Sequence, residues 1–119
     1  MGIKDSNQIQ FAKVDIAKDT FMKVLIPIQP DENDNFIMRK FIIKKGGMIP
    51  FHKNLVEHQQ YVLSGKAELR IEDEVSIARR DSVVYIPAGV PHYYKNLGDT
   101  DFEFLCIIPK KADQMTLTE

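Results

Sequence analysis

The chain has 119 residues, with 16 basic and 17 acidic side chains, three His, one Cys and no Trp, for a formal net charge of −1. That is one domain, long enough for a single core, and its near-neutral balance argues against a nucleic acid or a polybasic membrane-surface role. A single Cys excludes an internal disulfide and any multi-cysteine zinc or iron–sulfur site.

From the N-terminus, Met1-Gly2-Ile3-Lys4-Asp5-Ser6 lacks the apolar core of a secretory signal. Gly2 and Ser6 fit only the short, common myristoylation pattern. No apolar run reaches the roughly 20 residues of a membrane helix, so the expectation is a cytoplasmic protein with no membrane partner. Short stretches rich in β-branched and aromatic residues then follow at 21–28, 36–43, 59–63, 67–71, 75–78, 83–86, 92–95 and 102–108. Turn signals separate them at 27–35, 44–47, 53–57, 72–74, 87–91 and 96–101. Many short strands at near-regular spacing predict an all-β sandwich or barrel. The barrel core is expected over 35–109, strands within 8–28 should pack on it or on a partner subunit, and 110–119 reads as a loose polar tail.

Alternation assigns faces. Ile37, Arg39, Phe41 and Ile43 share one parity, and Phe102, Phe104, Cys106 and Ile108 share another. In both stretches the opposite face is also largely apolar, so one face lines the barrel and the other needs a cover. A second sheet or a second subunit would supply it, and the expectation is a homodimer. Arg39, on an apolar parity, either turns inward to hold a carboxylate or reaches the barrel rim. Cys106 is either a soft ligand or reactive thiol, or an inert small apolar residue.

The histidines are the informative residues. His52 and Asn54 are two apart on an extended chain and project together. A short return through 55–57 brings His58 alongside, and His92 follows a Pro-x-Gly-x-Pro turn. Three imidazoles on one wall would suit zinc, copper, iron, nickel or manganese. Tyr94 shares parity with His92, and Gln60 with His58; each is either a pocket residue or an ordinary neighbour.

These residues carry a resemblance. Gly46, five residues, His52-Lys53-Asn54, three residues, His58, six residues, Gly65 resembles the first cupin motif. Asp81, five residues, Pro87-Ala88-Gly89, two residues, His92, three residues, Asn96 resembles the second. The resemblance covers roughly 35–109 and implies a double-stranded β-helix, a jelly-roll-like barrel. It is closest to small single-domain cupins that bind manganese through four histidines, and it implies ligands at His52, His58 and His92. Asn54 stands where the remaining His would be, which implies a weak or water-mediated fourth ligand. Asp81 stands at a Gly position. The implied pocket adds Arg39, Gln60, Tyr94, Phe104, Cys106 and Ile108. The functional expectation is a metal-binding small cupin acting on, or binding, a small oxygenated or anionic molecule, with an oxygenase or isomerase as the enzymatic form. The alternative is a non-catalytic protein that senses a small ligand or a metal.

Overall fold

Alternating apolar side chains with β-branched and aromatic character drive nearly the whole chain into extended structure. The computed structural model describes residues 2–29, 31, 33–110 and 115–118. After a short 3-10 turn at Ser6–Gln8, the strands are β1 (Ala12–Lys13), β2 (Lys18–Ile26), β3 (Phe36–Asn54), β4 (His58–Ser64), β5 (Lys66–Ile71), β6 (Glu74–Arg79), β7 (Val83–Ile86), β8 (His92–Asn96), β9 (Phe102–Pro109) and β10 (Met115–Leu117). All pairings between them are antiparallel. The main path runs β6-β5-β8-β3-β9-β4-β7, with β2 and β10 also on β3 and β1 on β2. The sheet curls into the double-stranded β-helix expected from the motifs.

β3 makes the curl. Its first part pairs with β2 and β9 over Phe36 to Ile43, and its later part pairs with β8 from Met48. The strand leaves one half of the barrel and enters the other at Lys44-Lys45-Gly46-Gly47. This corrects the turn expected at 44–47: the breakers bend a continuous strand and do not end it. Gly46 has φ +78, open to glycine at no steric cost. A Cβ on Gly47 would lie 2.7 Å from the Lys18 carbonyl oxygen and 2.9 Å from that of Lys44, so backbone passes too close there for any side chain. The expected turn at 53–57 is likewise shorter, because β3 runs through Asn54.

The tail is a second correction. Met115–Leu117 pair with β3 at Asn54, Lys53 and His52, and the Thr118 amide donates to the Phe51 carbonyl at 3.0 Å. The extended edge of β3 offers hydrogen-bonding groups that a polar segment can satisfy as well as an apolar one. Residues 111–114 and 119 of the expected loose tail lie outside the described residues.

The core lies between the two halves. Ile43, Val62, Phe102, Phe104 and Cys106 come from one, and Ile49, Ala67, Leu69 and Tyr94 from the other, all buried. Phe104 stacks on Phe41 (centroids 5.1 Å apart, 6° between planes) and on Tyr94 across the barrel (5.2 Å, 10°). Asn96 ties the lower edge together, donating to the carbonyls of Ile43 and Thr100 and accepting from the Gly98 amide. β2 packs within the same chain. Its Lys23 is buried, donating to the Ser6 carbonyl at 2.7 Å and lying over the Phe11 ring.

Candidate metal centre and cavity

Register places the functional side chains in rows. Arg39 on β3 pairs with Cys106 on β9, which pairs with Gln60 on β4. On the other half His52 pairs with His92. His58 opens β4 and pairs with Ile86. The inward residues of these rows enclose a cavity of about 220 Å³ lined by Arg39, Phe41, Ile49, His52, Asn54, His58, Gln60, His92, Tyr94 and Phe104. The cavity thus contains all three His, Asn54, Arg39, Gln60, Tyr94 and Phe104 of the sequence-derived set. Cys106 sits directly behind the wall, fully buried among Arg39, Gln60 and His58. Ile108 is a buried core residue and does not line the cavity. Phe41 and Ile49 were not singled out as pocket residues; the inward parity of Phe41 is legible in sequence, whereas Ile49 reaches the site only because β3 crosses between halves.

The imidazoles are buried and held by their neighbours. His52 Nδ1 is 2.6 Å from the Pro50 carbonyl oxygen and His92 Nδ1 is 2.9 Å from that of Val90. A carbonyl only accepts, so each of these rings carries its proton on Nδ1 and its lone pair on Nε2 in the neutral form. Both partners are the carbonyl two residues upstream, so the local backbone sets the tautomer. His58 Nδ1 faces Cys106 Sγ at 3.6 Å. The His52 and His92 rings lie 4.2 Å apart by centroid, and those of His58 and His92 lie 6.1 Å apart.

Among the described residues no three His, Cys, Asp or Glu side chains stand as a finished metal-ligand set. The donor chemistry nevertheless fits a divalent transition ion. Two Nδ1–H groups anchored on carbonyls are the outer contacts that orient imidazole ligands and present Nε2 lone pairs. Asn54 adds a buried amide oxygen on the same wall.

Beside the imidazoles, one step along the same strands, lies a polar cluster. Gln60 Nε2 donates to the Tyr94 hydroxyl at 2.6 Å, which leaves the Tyr94 proton available to an acceptor. Burial foremost, with the neighbouring Cys106, holds Tyr94 well above its ordinary pKa, against the Gln60 bond and the Arg39 charge. Burial also pushes the Cys106 thiol up, but the His58 bond, the Arg39 and His58 charges and the Gln60 bond together bring it below its ordinary value. Arg39 donates through Nη2 to Cys106 Sγ at 3.3 Å, and its guanidinium carbon lies 5.0 Å from the Phe41 ring centre.

Comparison with known proteins places this geometry. The cupin domain model matches residues 39–108. Over 73 residues the chain is 32% identical to mannose-1-phosphate guanylyltransferase of Sinorhizobium fredii, covering 60% of this chain and 14% of that protein. Over 77 residues it is 32% identical to the xanthan biosynthesis protein XanB of Xanthomonas campestris, covering 63% of this chain and 16% of that protein. The chain therefore spans a small part of the length of these curated relatives. Among solved structures, the polyketide cyclase RemF from Streptomyces resistomycificus superposes with a TM-score of 0.89 at 25% identity, over 100% of this chain and 86% of that one. A predicted oxalate decarboxylase from Thermotoga maritima superposes at 0.80 with 20% identity, over 91% and 98% respectively.

Proposed function

The chain belongs to the cupin family, and from that premise we propose that it binds a divalent transition metal at His52, His58 and His92, with Asn54 as a weak fourth donor. The metal centre would receive a small oxygenated or anionic molecule in the barrel cavity. The observation that carries this reading is the pair of carbonyl-anchored Nδ1 groups on His52 and His92, which direct lone-pair nitrogens from a shared wall. Fold alone does not assign an activity. The likeness to a polyketide cyclase and to a predicted oxalate decarboxylase is compatible with an enzyme of small oxygenated substrates, a metal-dependent oxygenase or isomerase among them.

A divalent cation held there supplies Lewis-acid polarisation of a ligand oxygen. The chain's own residues do the rest. His52 and His92 keep their tautomer through backbone carbonyls, Tyr94 offers a hydroxyl proton held by its raised pKa, and Gln60 fixes that hydroxyl in place. Phe41, Ile49 and Phe104 supply the apolar part of the cavity lining.

The test is elemental analysis of untagged protein purified without chelator. The expected result is close to one transition ion per chain, manganese foremost, lost in His52→Ala, His58→Ala and His92→Ala. Metal-free wild type after supplementation with manganese, iron, zinc, nickel and copper would sink the reading. The alternative, a non-catalytic sensing barrel, is abandoned once metal-dependent turnover of a metabolite is measured. We also propose a cytoplasmic homodimer; among the described residues no helix is long and apolar enough to cross a membrane.

A further inference from the structure

We propose that Arg39 anchors the carboxylate of a small organic acid whose apolar part lies against Phe41 and Phe104 in the central cavity. This deepens the reading of the cavity as a ligand site and does not depend on the metal.

The argument begins with charge. Lys40, Lys44, Lys45, Arg70 and Lys110 each face a carboxylate, of Glu103, Asp101, Asp99, Asp73 and Asp34 respectively. Arg39 faces the cavity, and among the described residues no Asp or Glu lines it. A guanidinium stays protonated in any protein environment. Arg39 is half-buried; partial shielding of such a cation without an anion costs free energy, and the cost falls when an anion joins it.

The donors point the same way. Arg39 Nη2 donates to the Cys106 sulfur at 3.3 Å, while Arg39 Nε is buried with no hydrogen-bond partner. A buried N–H left unsatisfied is rare and calls for an acceptor. Cys106 occupies one donor of the fork and leaves Nε, so an incoming carboxylate has the planar donors it needs. The guanidinium is steadied from behind by its position over the Phe41 ring, 5.0 Å away. Register also holds it, because Arg39 stands opposite Cys106 on β9.

The cavity then limits the rest of the ligand. Its volume of about 220 Å³ is below the roughly 300–1,000 Å³ of sites for drug-sized molecules. Beside the polar side chains, the lining includes the ring pair Phe41 and Phe104 with Ile49, apolar surface that a short hydrocarbon or aromatic body can cover. The Tyr94 hydroxyl, already accepting from Gln60, offers its proton to an oxygen on that body.

Benzoate is the probe, with neutral benzamide and tail-less acetate as controls, measured by isothermal titration on protein as purified and again after chelator treatment. Benzoate is expected to bind in both conditions, more tightly than acetate, with benzamide weakest. Arg39→Met should weaken benzoate about tenfold to a hundredfold, the scale of a charge-assisted hydrogen bond. Arg39→Lys, which keeps a cation, should recover part of that loss and shows that the site survives substitution. Benzamide binding as well as benzoate, or full benzoate affinity in Arg39→Met, would overturn the proposal, as would no benzoate binding to folded wild type. The chelated arm separates the two readings. Benzoate bound through Arg39 by a chain that takes up no metal refutes the metal centre alone. A metal-loaded chain indifferent to Arg39 refutes only the carboxylate anchor.

Discussion

Asn54 is the residue at which the proposed donor set departs from four imidazoles. Its side chain is buried on the same wall as His52, as alternation along β3 requires. An amide oxygen is a weaker donor to a first-row ion than imidazole nitrogen. Asn54→His should therefore tighten Mn²⁺ binding by about tenfold or more, ~1.4 kcal/mol, in a calorimetric titration; unchanged affinity would mean position 54 takes no part. Asp81 is a second departure, and its backbone takes up the conformation that a Gly position suggests. It holds φ +72, where Asp is tolerated better than Ala, and it accepts from the Tyr61 hydroxyl at 2.7 Å. Asp81→Ala should lower unfolding stability by about 1–2 kcal/mol and Asp81→Gly by less; equal losses in chemical denaturation would refute the backbone account. The Tyr61 bond also gives a pH signature. Hydrogen bonding to Asp81, then its negative charge, raises the Tyr61 pKa above 10.0. The folded state holds that proton more firmly, so the contribution is complete below the unfolded pKa and is lost as pH rises through the folded one. The difference in Tm between wild type and Tyr61→Phe should shrink towards zero as pH is taken well above 10.0, and a difference that persists there would count against it. Which residues meet the cavity was largely legible from parity and motif spacing. The carbonyls of Pro50 and Val90 that set the tautomers were not, because backbone groups have no letter in the sequence.

At the scale of elements, β3 explains both what sequence patterns capture and what they miss. The alternation over 36–43 correctly divides Arg39 and Phe41 from Met38 and Lys40, and the register with β9 follows it. The Gly46-Gly47 pair reads as a turn because a bend and a turn use the same residues. Only the approach of the Lys18 and Lys44 carbonyls to Gly47 distinguishes them, and that is a tertiary fact. Gly47→Ala should destabilise the fold by about 1–3 kcal/mol, the range for forcing extra atoms into packed structure, read from the denaturant midpoint. A midpoint equal to wild type would show that the corner can open. β10 was illegible for a different reason: Met115–Leu117 gain their strand by completing an edge of β3, and an edge accepts many sequences.

The whole molecule leaves an apolar outer face. Val83 is 76% exposed and Phe36 62%, and a groove of about 430 Å³ runs among Tyr61, Val83, Tyr85, Leu105 and Ile107. A contiguous exposed patch of this kind marks an association surface, consistent with the proposed homodimer. Light scattering should give twice the 13.7 kDa chain mass, and Val83→Lys combined with Ile107→Lys should halve it. A wild-type monomer at micromolar concentration would remove the dimer from the account. One feature of the architecture also bears on how the chain reaches this state. β3 is bordered by β2, β8, β9 and β10, partners drawn from residues 18 to 117. Its middle and later portions wait for strands made long after it, and the His52–Asn54 segment gains its β10 partner last in order of synthesis. Such distant pairings slow the search for the native state. During translation the His52–Asn54 segment therefore cannot gain its last neighbouring strand until residue 117 has been made, and refolding should be slow.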